Sequence, residues 1–130
     1  MTDFEKELAG YRARSKAFRA SRKPIRDAAV REIKPRILEV LRLADESDAA
    51  YRKYGGSYDS WYSVGLMTAE LRQTGRGWTG DAFHNLTKRD QCGVVRRAME
   101  ALRREKLINR AIGYFEGREC RQYQFGAEPC

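Results

Sequence analysis

The sequence predicts a mainly α-helical domain closed by a small β-hairpin, and three stretches carry that prediction. QCGVVRRAMEALRREKLI places Val95, Met99 and Leu102 at i, i+4 and i+7, the spacing of one buried stripe, with Leu107 and Ile108 following inward and Arg96, Arg97, Arg103 and Arg104 pointing mainly elsewhere. Just after it, NRAIGYFE and ECRQYQF flank Gly117-Arg118, and a glycine at the first central position is what a type II′ hairpin turn requires. Upstream, Ala28, Ala29, Ile33, Ile37, Leu38, Leu41 and Ala44 supply a second helical stripe.

Taken in order, residues 3–21 hold helix formers with Phe4, Leu8, Tyr11 and Phe18 at roughly helical intervals, interrupted by Gly10. A helix with a basic side is expected, packed on the body or on a second copy. Its cations Arg12, Arg14, Lys16, Arg19, Arg22 and Lys23 also suit an arm that follows phosphates. Pro24 fits the first turn of a second helix, with Ser21 a nearby cap and the stripe ending near residue 45. Pro35 interrupts this stripe, so the helix either kinks there or restarts.

Residues 46–63 read as a loop, with Gly55-Gly56 and the aromatics Tyr51, Tyr54, Tyr58, Trp61 and Tyr62. Such aromatics stack on bases or peptides, or more commonly cover the edge of a small core. Ser60 or Ser63 caps SVGLMTAELRQ, which turns Val64, Met67 and Leu71 inward. The glycine-rich stretch around Gly75, Gly77 and Gly80 then leads to DAFHNL, one helical turn with Phe83 and Leu86 buried. A helix follows over 90–106. Gly93 within it marks either a late helix start or, with Cys92, a place of close approach. In the hairpin, the II′ turn pairs Tyr114 with Arg121, Ile112 with Tyr123 and Arg110 with Phe125 on a largely apolar face that can pack on the helix. Gly113, Phe115, Cys120 and Gln122 take the other face.

This order resembles the winged helix-turn-helix superfamily, whose last helix typically reads V-x-R-x-L-x-x-L-E-x-x-G-L-[IV] before its wing. Val95, Arg97, Met99, Leu102, Leu107 and Ile108 match that pattern, while Lys106 stands where the family has glycine. The resemblance covers roughly residues 33–125, with PRILEVLRLA as its first helix. It implies a winged-helix domain over 24–126 with a wing at about 109–125, a basic N-terminal helix or arm over 1–23, and a short tail over 127–130. The connection over 74–87 is longer than the few residues of a typical helix-turn-helix and alters how the last helix is presented.

Charge agrees with a nucleic-acid partner. The 130 residues carry a formal charge of +8, and a basic chain of this size most often meets nucleic acid. Residues 1–36 hold eleven Lys/Arg against five Asp/Glu and residues 91–130 eight against five, whereas 37–61 hold three against five. The excess therefore sits in the leading segment and in the proposed reading head, where a merely solvated face gives it no reason to concentrate.

Other classes find little support. No apolar run reaches the roughly 20 residues of a membrane span, and MTDFEKELAG lacks the apolar core of a signal peptide, so a cytoplasmic protein is expected, nucleoid-associated in a bacterium or phage. Cys92, Cys120 and Cys130 are odd in number without C-x-x-C spacing, which points to reduced thiols rather than disulfides or zinc. His84 is the only histidine and reads as a surface or packed residue, so no histidine-based metal cluster is available. GRGWTG over 75–80 satisfies G-x-G-x-x-G but lacks the strand and βαβ context of a nucleotide site. Dispersed carboxylates and an unactivated Cys92 argue against an enzyme, and no cofactor or small-molecule ligand is indicated.

The expected function is sequence-specific binding of double-stranded DNA by a small transcriptional regulator or an accessory replication or partition factor, with a homodimer as the usual route to specificity. Gln91, Arg96 and Arg97 are the candidates to reach base edges, with Lys88 and Arg89 holding phosphates at the helix entrance. Arg110, Arg118 and Arg121 are the candidates on the wing, with Glu116 and Glu119 opposing phosphate at its tip unless paired. Two alternatives are a protein-interaction module using the aromatic segment 51–62, and a single-strand or RNA binder using Trp61 or Trp78.

Overall fold

A single helix of 51 residues, α1 (Asp3–Lys53), forms the spine of the computed structural model, which describes residues 2–56, 59–73, 78 and 80–127. Tyr58, Gly75, Gly77 and Cys130, named above, lie outside the described residues. A capping box starts α1: the Glu5 amide donates to Thr2 Oγ1 at 3.1 Å and the Thr2 amide to Glu5 Oε2 at 3.2 Å.

The helix passes through both prolines, so neither a fresh start at Pro24 nor a restart at Pro35 occurs. Ser21 lies inside the helix, its hydroxyl donating to the Phe18 carbonyl at 2.7 Å instead of capping. An interior proline costs about 3 kcal/mol. Ala29, Ile33, Ile37 and Leu41 fall on one stripe at successive four-residue steps and are all fully buried, and each large aliphatic side chain returns about 2 kcal/mol. With the buried Val40, four such side chains return about 8 kcal/mol against about 6 for the two prolines, so tertiary burial on this face outweighs the local breakers. The same helix continues eight residues past the expected end near 45, absorbing Tyr51 from the proposed loop.

Beyond α1 come β1 (Tyr62–Ser63), α2 (Val64–Arg72), α3 (Asp81–His84), α4 (Lys88–Arg104), β2 (Ile108–Phe115) and β3 (Arg118–Phe125). Ser63, not Ser60, caps α2, accepting from the Leu66 amide at 3.1 Å. Met67 and Leu71 are buried as expected, and Val64 packs at the core edge. Phe83 and Leu86 are buried in and after α3. The domain is mainly helical with a three-stranded antiparallel sheet in the order β1-β3-β2.

The hairpin turns one residue earlier than the II′ reading requires. Phe115 pairs with Arg118, and Glu116 and Gly117 between them both have positive φ, 52° and 78°. Two left-handed residues make the I′ type, which matches the twist of the strands. The pairs are consequently Ile108 with Phe125, Arg110 with Tyr123 and Ile112 with Arg121, two residues displaced from expectation. A two-residue displacement keeps each residue on its expected face. That face packs only near its base: Ile108 and Tyr123 are buried, whereas Ile112 and Tyr114 are 55% and 79% exposed because the hairpin extends past the body.

The end of α4 explains the departure at Lys106. The Leu107 amide donates to Leu102 O at 3.1 Å and the Lys106 amide to Arg103 O at 2.9 Å, the two bonds of a Schellman ending. Lys106 has φ 61°, the left-handed position normally held by glycine. Leu107, expected inward, is 42% exposed, and Ile108 alone enters the core.

Candidate nucleic-acid interface

Helix α4 is anchored along its inner side. Val94, Val95, Ala98, Met99 and Leu102 are buried, and Thr87 caps the N-terminus by accepting from the Asp90 amide. Three ion pairs lash α4 to α1: Arg22 to Asp90 at 3.0 Å, Asp27 to Arg97 at 2.8 Å, and Lys34 to Glu105. Their order along both helices makes α1 and α4 run side by side in the same direction. A further clasp fixes the insertion. Glu32 accepts from the Ala82 and Phe83 amides at 3.0 and 3.2 Å, supplying the cap that Gly80 lacks at the start of α3.

The hairpin is fastened to α4 through Glu100. Its Oε1 accepts from the Tyr123 hydroxyl at 2.6 Å and from Arg110 Nη1 at 2.8 Å. Burial works against the Glu100 carboxylate, but the hydrogen bonds from Tyr123 and Arg110 prevail and hold it below its ordinary range. Burial first, and the bond to Glu100 second, push the Tyr123 phenol up to about 12. The hairpin base is also pinned by Gln124 Nε2 donating to Ser60 Oγ at 2.7 Å.

What remains outside on α4 is a cationic face. Arg89, Gly93 and Arg97 form one i, i+4 row and Lys88, Cys92 and Arg96 the next. All are exposed except the half-buried Cys92. Gly93 lies in the second turn of α4, so it does not mark a late start, and a Cβ placed there would meet nothing within 4 Å. The middle of this face is therefore open to close approach. On one flank, Arg19, Arg22 and Arg26 of α1 share shallow clefts with Arg89. On the other, Arg96 faces Arg121 across an open cleft of about 550 Å³ that includes Ser63, Val64 and Gly65 at the start of α2.

The structure redistributes the expected contact residues. Lys88, Arg89 and Arg96 stay on the outer face, and Arg118 and Arg121 stay exposed on the hairpin. Gln91 does not reach outward. It is 4% exposed, and its Nε2 donates to the Phe83 carbonyl at 3.1 Å, tying α4 to α3. Arg110 is likewise withdrawn from phosphate contact by its bond to Glu100. Arg97 is half-exposed but held by Asp27, whose carboxyl is kept below its ordinary range first by that hydrogen bond, against a cost of burial.

Arg26 was absent from the expected set, and Arg19 and Arg22 were assigned to a separate arm. Only the packing of α1 along α4 brings them to this face. His84 is a packed residue, its ring 4.9 Å from that of Trp78 and 5.7 Å from that of Phe83. Among the described residues no helix is long and apolar enough to cross a membrane. Compared with family models, with curated proteins and with solved structures, the chain matches none.

Proposed function

We propose that this chain is a winged-helix protein that binds double-stranded DNA sequence-specifically, as a small transcriptional regulator or an accessory replication or partition factor. In this reading α4 enters the major groove and the β2–β3 hairpin lies along the adjacent backbone or minor groove. The observation that carries it is the outer face of α4, where Lys88, Arg89, Arg96 and Arg97 surround the open position at Gly93. The order helix, short strand, three helices and hairpin, with β1 closing on β3, supports the winged-helix reading.

Division of labour follows from geometry. Arg96, midway along the open face and without the carboxylate clamp of Arg97, is the base reader, because arginine gives two parallel donors to guanine. Lys88 and Arg89, beside the positive end of the α4 dipole, position phosphates together with Arg19 and Arg26. Arg121 and Arg118 carry the wing contact.

Titration of a labelled random duplex tests the electrostatic part. About six phosphate contacts give a log–log salt slope near −5.4. Arg96→Ala should lose about 1 to 3 kcal/mol on a preferred site and little on random sequence. Equal losses on both would remove Arg96 from base reading. A second reading, a protein-interaction module, draws on Tyr54 and Tyr51, 91% and 53% exposed at the far end of α1; it is favoured if duplex affinity is no greater than that of any equally charged protein.

A further inference from the structure

The face of α1 that is buried in the body continues as an apolar stripe where no body covers it. Ala29, Ile33 and Ile37 are fully buried. Carried toward the N-terminus, that face bears Ile25, Phe18, Tyr11 and Phe4, each seven residues from the next and 49%, 61%, 64% and 72% exposed. Leu8, Ser15 and Arg22, four residues after Phe4, Tyr11 and Phe18, stand between them. Alternating steps of four and three are the heptad seam by which one helix packs on another. The cleft that Phe18 and Arg19 share with Thr87 and Arg89, and the Arg22–Asp90 pair, are where α1 meets the start of α4, so about 21 Å of helix, residues 3–17, reaches past it. A helix of that length is marginal in water without a packed face, and this one also contains Gly10.

We infer that this stripe, from Phe4 to Phe18, is covered by the same stripe of a second copy of the chain, the two α1 segments lying antiparallel with their two-fold axis near Tyr11. Charge selects the second copy and its direction. Residues 3–9 hold Asp3, Glu5 and Glu7 against Lys6, whereas residues 12–26 hold seven cations and no carboxylate. Antiparallel pairing lays the acidic end of each helix along the basic stretch of the other, with Glu7 beside Arg14 and Lys16, and Asp3 beside Arg19. Parallel pairing would set the two seven-cation stretches side by side. The axis near Tyr11 makes Phe4 and Phe18 of opposite copies meet, since each is seven residues away from it.

The pairing also sets the distance between the two α4 faces. Asp90 marks the start of α4 alongside residue 22, eleven residues from the axis, so the two starts lie about 33 Å apart along the helix pair. One turn of B-DNA separates half-sites by about 34–36 Å. This last consequence rests on the DNA-binding reading, whereas the pairing itself does not.

Sedimentation equilibrium of the full chain without DNA tests the pairing. A mass twice the 15.0 kDa chain is expected at micromolar concentration, with a dissociation constant that rises as salt is added. Phe4→Ser with Phe18→Ser should weaken association at least tenfold while leaving the thermal transition of the body in place. A monomeric wild-type chain, a double variant that still dimerises fully, or a dimer tightened by salt would each overturn the proposal. A dimer that binds no DNA would overturn the function proposed above and leave the pairing intact.

Discussion

Replacing Glu100 by alanine removes the acceptor on which the hairpin hangs. The fully buried Tyr123 loses a 2.6 Å hydrogen bond to a carboxylate, and Arg110 loses its 2.8 Å partner. A hydrogen bond to a charged group contributes about 1.5–3 kcal/mol, and the buried Tyr123 phenol loses its acceptor. The Arg110 side chain, 22% exposed, recovers part of its hydration and adds about 1 kcal/mol or less. Glu100→Ala should therefore cost about 2–4 kcal/mol in urea unfolding at neutral pH, and Tyr123→Phe less, because Arg110 still neutralises Glu100. A Glu100→Ala loss below about 1 kcal/mol would refute the hub.

The pH dependence carries the same signature. Glu100 is held below the 4.5 of a free glutamate, so its contribution is complete above that value and disappears as pH falls through the lower, folded value. Tyr123 is raised from 10.0 to about 12, so its contribution is complete below pH 10 and is lost as pH rises toward 12. Glu100→Ala should flatten the acid limb of a stability profile.

Gly80→Ala should destabilise by about 1–3 kcal/mol in the same urea assay, since the added methyl meets Glu32 Oε1 and comes within 2.6 Å of the Trp78 ring. Lys106→Gly should stabilise by about 0.5–1 kcal/mol, the relief of a left-handed side chain less the added freedom of glycine in the unfolded chain; a lower melting temperature would contradict the Schellman ending. Gln91→Ala should lower the melting temperature by removing the side-chain bond that ties α4 to the Phe83 carbonyl and emptying its buried site, whereas Arg96→Ala should leave it unchanged and lower duplex affinity; the reverse pattern would return Gln91 to the surface.

The parts of this fold that were legible in the sequence are those set by local period. Val95, Met99, Leu102 and Ile108 announced the buried side of α4 and its end, and alternation assigned Tyr123 to the packed side of the hairpin. Turn type was not legible, because glycine serves both I′ and II′ turns and nothing local says that Glu116 adopts positive φ. The continuity of α1 was hidden for a different reason: Pro24 and Pro35 are local breakers, and only burial against α4, far along the chain, overrides them. For the candidate site, Gln91 carried a usable signal, since it lies four residues before Val95 on the inward stripe. Arg97 carried none, and Arg110 only its place on the packing face of the hairpin. Their partners Asp27 and Glu100 are chosen by tertiary packing and by the hairpin's return onto α4.

In the function proposed above, the outer face of α4 reads duplex sequence. Selection from a random duplex pool at near-physiological salt, run with the wild-type chain and with Arg96→Ala, tests it most directly. An enriched motif is expected for the wild type, with loss of preference at one or more positions in the variant. Retention without enrichment, or the same motif recovered by both proteins, would contradict it.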